Sequence, residues 1–81
     1  MPAASKTQTL INYLLSEIEA GRLQPGDKIP SATELRRIAA ELVGEDKPVS
    51  ITVVREAVNY LKATGVLEGL SGVGVFVKEE T

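Results

Sequence analysis

Apolar residues recur along this chain in three helical stripes and then in two short runs, which predicts the order helix, helix, helix, hairpin. Leu10, Ile11, Leu14, Leu15 and Ile18 fall at three- and four-residue steps, so a first helix is expected from Thr9, stopped by Gly21. A second stripe, Leu35, Ile38, Ala39 and Leu42, turns Arg36, Arg37, Ala40 and Glu41 outward and ends at Gly44. A third, Val54, Ala57, Val58 and Leu61, leaves Thr52, Arg55, Glu56, Asn59 and Lys62 on the outer face and stops at Gly65. Val66-Leu67-Glu68 and Val75-Phe76-Val77 are β-prone, and the Gly-rich segment Ser71-Gly72-Val73-Gly74 between them predicts a hairpin turn.

Polar punctuation supports the same order. Pro25-Gly26 suits the centre of a type II turn, and Pro30 holds Ile29 in extended geometry, so Lys28-Ile29-Pro30 reads as a stub of strand. Ser31 through Glu34 has the form of a capping box, the serine hydroxyl taking a backbone N–H and the glutamate reaching back to the serine N–H. Ser50 can cap the third helix, and residues 44–48 form a charged loop. The expected organisation is a loose arm over residues 1–8, a single domain over 9–78 and a tail over 79–81. The fold class is mainly α (α+β): a three-helix winged helix-turn-helix with a C-terminal β-hairpin wing.

Composition narrows the chemistry. An 81-residue chain that is 43% hydrophobic and 25% charged has room for one packed core, and no second, ligand-sensing domain is expected in it. Without cysteine or histidine there is no thiolate or imidazole metal site, no disulfide and no histidine base, and the carboxylates Asp27, Glu34, Glu41, Glu45 and Asp46 are scattered. We therefore expect no enzyme, no cofactor, no metal and no small-molecule effector in this domain. The apolar run Leu10 to Leu15 is broken by Asn12 and far too short for a membrane span, so no membrane partner is expected and a cytoplasmic, nucleoid-associated location is. The net charge of −2 opposes DNA binding unless basic residues gather on one face.

The blocks Gly21-Arg22-Leu23-Gln24-Pro25-Gly26-Asp27-Lys28-Ile29-Pro30-Ser31, Glu34-Leu35, Val49 to Val58, Gly65-Val66-Leu67-Glu68 and Gly72 to Val77 occur in that order. Together they resemble the N-terminal DNA-binding domain of GntR-type bacterial transcription regulators from Leu10 to Val77. The resemblance implies that the third helix enters the major groove, that the start of the second touches phosphate and that the wing tip approaches the minor groove. It puts Ser31, Ser50, Thr52 and Arg55 on the DNA-facing side, with Gly72 and Gly74 at the wing turn. Hydroxyls at helix N-termini suit a phosphate, and Arg55, one turn into the third helix, can reach a phosphate or a guanine edge. The outer-face Asn59 joins the candidate set.

The chain departs from the family where Ile51, Thr33 and Val73 stand at positions that usually carry arginine. It also has several more residues between Leu35 and Val49, an insertion expected to open out the helix-turn-helix. Arg36, Arg37 and Lys47 lie in or beside this insertion, so the basic charge is expected to have shifted there. Arg36 and Arg37 are candidate DNA contacts, with pairing to Glu34 and Glu41 as the alternative. Arg55 either meets DNA or pairs with Glu56 or the Asp46 loop. Lys28 is a weak candidate, Lys62 reads as an ordinary surface lysine, and Tyr13 and Tyr60 read as packing residues. Ile51 and Val73 can touch thymine methyls, pack under the loop or meet a protein.

The expected function is a sequence-specific double-stranded DNA-binding transcription regulator, a repressor, acting as a homodimer in which helix 1 and the arm are candidates for the pairing surface. The chain is either an excised fragment or a minimal regulator without a sensor. The alternatives are a winged-helix protein-interaction module and an architectural DNA-binding factor with weakened base readout.

Overall fold

A computed structural model describes residues 5–70 and 72–79. Its elements are α1 (Lys6–Glu19), α2 (Ala32–Val43), α3 (Ile51–Ala63), β1 (Leu67–Leu70) and β2 (Gly74–Val77). Helix α1 starts three residues before Thr9 because Ser5 caps it: the extended Ser5 accepts from the Gln8 N–H at 3.0 Å, and the Thr9 hydroxyl donates to the Ser5 carbonyl at 3.0 Å. Residues 6–8, read as part of the arm, are thus helical. The first four residues of that arm lie outside the described residues, as do Ser71 of the turn and the last two residues of the tail.

All three helices end the same way. Gly21, Gly44 and Gly65 take positive φ of 84°, 75° and 83°, and each bonds back to a last-turn carbonyl. The next residue bonds to the carbonyl one residue earlier, as in Glu45 N–H to Ala40 O at 2.8 Å and Val66 N–H to Leu61 O at 2.9 Å. Only glycine enters this left-handed geometry without a steric cost, which makes the helix ends the most legible feature of the sequence.

The wing pairs Leu67 with Val77 and Leu70 with Gly74, antiparallel. Val66, expected in the first strand, precedes it and accepts from the Lys78 N–H at 2.9 Å. The Pro25-Gly26 turn forms, with Gly26 at φ 91° and Asp27 N–H bonded to Gln24 O at 2.8 Å. It delivers Lys28 beside Phe76 and bonds the Ile29 N–H to Val75 O at 3.0 Å, so the stub flanks β2 as a short third strand.

Leu10, Leu14, Leu35 and Leu61 are fully buried at the centre, joined by Ile29, Val49, Leu67 and Val77. Each such side chain contributes about 1.5–3 kcal/mol on burial. Two expectations fail on α2 and one on α1. Ala40 is buried, whereas Leu42 is 50% exposed and Leu15 also faces outward. The buried face of α2 runs through the small pair Ala39-Ala40, where neighbouring backbones can approach closely; Leu42 lies beyond it, in the last turn.

The insertion leaves residues 44–50 between α2 and α3, and two hydrogen bonds tie the end of this connection back to α2. The Val49 N–H donates to the Arg36 carbonyl at 3.1 Å, and Arg36 Nε donates to the Val49 carbonyl at 2.7 Å. This reciprocal pair returns the chain to the first half of α2 and sets the start of α3, while Lys6 of α1 holds Glu45 of the loop in an ion pair at 2.6 Å. Among the described residues, no helix is long and apolar enough to cross a membrane.

Candidate nucleic-acid interface

Helix α3 presents Thr52, Arg55, Asn59 and Lys62 at helical spacing, all exposed. Its inner face is held by Val54, Ala57 and Leu61, so the outer stripe is fixed by the core rather than by its own contacts. Ser50 occupies the N-cap in extended geometry, yet its side chain makes no capping bond, unlike the hydroxyls that cap α1 and α2. At α2 the expected capping box is half formed. Ser31 Oγ accepts from the Glu34 N–H at 3.2 Å, but the Glu34 carboxylate takes the Ser31 hydroxyl at 3.4 Å instead of reaching the Ser31 backbone.

A cleft of about 400 Å³ lies between the first half of α3, the start of α2, the stub at Lys28-Ile29-Pro30 and the turn-side end of β2. It gathers Ser31, Arg55, Asn59 and Gly74 from the expected set, and adds Lys28 and Ile51. The cations Lys28 and Arg55 line it and no carboxylate does. A chain of net charge −2 therefore carries a concave face lined by two cations, with the Glu34 carboxylate at its edge on the Ser31 hydroxyl. Glu56, the nearest alternative partner for Arg55, accepts from the Thr7 hydroxyl at 3.0 Å on the α1 side. Among the described residues the ion pairs are Lys6–Glu45 and Arg22–Glu17, so Arg55, Arg37, Lys28 and Lys62 enter the surface uncompensated.

The remaining expected residues are dispersed. Thr52 and Ser50 sit at the exposed N-terminus of α3, outside the cleft lining, and Gly72 is at the wing tip with φ 75°. Arg37 is exposed on α2, whereas Arg36 is half-buried and its Nε is committed to Val49, so it braces the fold. Neither pairs with Glu34 or Glu41 among the described residues. Tyr13 stays with α1, where burial and the Glu17 carboxylate raise its phenol above the ordinary value. Lys28, a weak candidate in the sequence, lines the cleft. Its signal was its place next to Ile29-Pro30 in the strand stub, which fixes it against the wing.

Comparison with known proteins agrees with this fold. The model of bacterial regulatory proteins of the gntR family matches residues 6–77. The HTH-type transcriptional regulator LutR of Bacillus subtilis (strain 168) is 40% identical over 62 residues, which is 76% of this chain and 25% of the relative. The chain thus spans about a quarter of that relative's length. Among solved structures, the N-terminal domain of AraR in complex with mutant ORR3 superposes with a TM-score of 0.80 at 27% identity, covering 95% of this chain and 99% of that one. The AraR DNA-binding domain in complex with operator ORX1 gives a TM-score of 0.74 at 30% identity, covering 91% of this chain and 80% of that one. The three-helix core, the two-stranded wing and the family match agree, and this chain belongs to the GntR family of bacterial regulatory proteins, as a winged helix-turn-helix DNA-binding domain.

Proposed function

We propose that this domain reads a specific double-stranded DNA site for a transcription repressor, with α3 in the major groove, the start of α2 on phosphate and the wing beside the minor groove. The observation that carries the reading is the cleft lined by the cations Lys28 and Arg55, where Arg55 and Asn59 of α3 meet Ser31 of α2 and Gly74 of the wing. Arg55 and Asn59 are the base-reading candidates, since their side chains suit guanine and adenine edges respectively. Thr52, Ser50 and Ser31 supply hydroxyls for phosphate at helix N-termini, where the dipole favours an anion, and Arg37 adds an exposed cation at the edge. AraR, to which the chain is similar over nearly its whole length, is bound to its operator in its own structures.

The domain acts as a homodimer on two half-sites about 34–36 Å apart, because two linked weak modules gain both affinity and palindrome specificity. The exposed face of α1, including Leu15, is a candidate for the pairing surface. Fluorescence anisotropy with random duplex DNA across a salt series, followed by selection of bound sequences from a random library, tests the proposal. A steep salt dependence and a recovered palindrome are expected. No binding at low salt would overturn it in favour of a protein-interaction module, and steep binding without an enriched sequence would favour an architectural factor.

A further inference from the structure

The wing lacks an arginine at its tip, where Leu70 and Val73 stand exposed instead. Two lysines from outside the hairpin nevertheless reach it, one on each strand. Lys62, from the last turn of α3, lies across Gly69 of β1: a Cβ there would sit 3.1 Å from Lys62 Nζ and 3.2 Å from Cε. Lys28, from the stub beside β2, lies across Gly74, where a Cβ would come 2.6 Å from its Cε and 3.4 Å from its Nζ. Both glycines thus leave room for the end of a lysine side chain, and neither ammonium is in an ion pair among the described residues. Both lysines are exposed residues, so each charge rests on the wing's backbone and remains accessible to an anion.

We propose that Lys28 and Lys62 are phosphate contacts that straddle the minor groove, one for each strand of the wing, and take over the role of a tip arginine. The inference rests on the DNA-binding reading above. A hairpin tip approaching the minor groove meets a phosphate backbone on either side, and this wing carries one cation towards each. The apolar tip formed by Leu70 and Val73 then faces the groove floor between them. Sequence alone hides the pair, because residues 28 and 62 become wing residues only through the strand stub and the packing of α3 on β1.

The test measures the salt dependence of binding to an AT-rich duplex for the full chain and its variants Lys28→Gln, Lys62→Gln, the double variant and Arg55→Gln. Circular dichroism confirms that each is folded. Each lysine change is expected to lower the slope of log affinity against log salt by about 0.9, and the double change by about twice that. With the minor groove filled by netropsin, the unaltered chain and the double variant should have the same slope. Lysine variants that keep the full slope, whatever Arg55→Gln does, overturn the inference and leave the DNA reading intact. A lysine effect that persists with the groove filled also overturns it. Absence of salt-dependent binding by the unaltered chain instead defeats the DNA reading on which it rests.

Discussion

The junction between α2 and α3 and the wing treat their basic residues in opposite ways. At the junction, Arg36 is half-buried and its Nε is bonded to the Val49 carbonyl, so its main work is to set where α3 begins. At the wing, Lys28 and Lys62 lay the ends of their side chains over glycine backbone and stay exposed, with no ion pair among the described residues. An arginine presents a planar fork that matches a carbonyl or a carboxylate, whereas a lysine offers one movable point charge. The lesson is that the DNA-facing charge of this domain follows what each cation is already bonded to, more than how many cations a segment contains. Arg36 and Arg37, adjacent in sequence, fall on the two sides of that division.

Substitutions can break the comparison. The largest effect is expected at Leu35, fully buried one residue before Arg36: Leu35→Ala should cost about 2–5 kcal/mol, seen as a lower urea midpoint. That loss concerns the platform alone, and DNA affinity should return under conditions where the variant is folded. Arg36→Ala removes a hydrogen bond from a charged donor and leaves the carbonyl of buried Val49 short of a partner. It should cost about 1.5–3 kcal/mol of stability with the salt slope of DNA binding unchanged. A lower slope with unchanged stability would erase the distinction between junction and wing. Arg55→Ala should do the reverse: stability within about 0.5 kcal/mol, because the side chain is exposed, and DNA binding weaker by about 1–3 kcal/mol in anisotropy titrations.

Much of the platform was legible in the residues. Leu10, Leu14, Leu35, Ala39, Val54, Ala57 and Leu61 repeat at helical spacing, and Gly21, Gly44 and Gly65 mark helix ends because the left-handed backbone selects glycine. The start of α1 was hidden, since its first turn, Lys6-Thr7-Gln8, is polar and shows no periodicity; only Ser5 could have signalled it. Leu42 and Ala40 exchanged places because periodicity locates a stripe but does not say which neighbour packs against it. The site was less legible than the core. Arg55 and Asn59 could be placed on an outer face, but the partners of Arg36 and Lys28 depend on contacts between residues far apart in sequence. A carbonyl 13 residues away commits Arg36, and a glycine on another strand receives Lys28.

The smallest effect expected is also the sharpest probe of how the wing carries its charge. Val73 is 56% exposed, its φ is not in the left-handed region, and its fixed contact is a backbone bond from its N–H to the Leu70 carbonyl at 3.0 Å. Val73→Arg should therefore leave stability within about 0.5 kcal/mol. If the wing simply lacked a cation, the new arginine would raise the salt slope by about 0.9 in any background. If Lys28 and Lys62 already hold the phosphates on either side, the arginine must share them. The gain should then be full in the variant carrying Lys28→Gln and Lys62→Gln, and clearly smaller in the unaltered chain. Equal gains in the two backgrounds, measured by anisotropy over the same salt series, would mean that the lysines and the tip reach different phosphates.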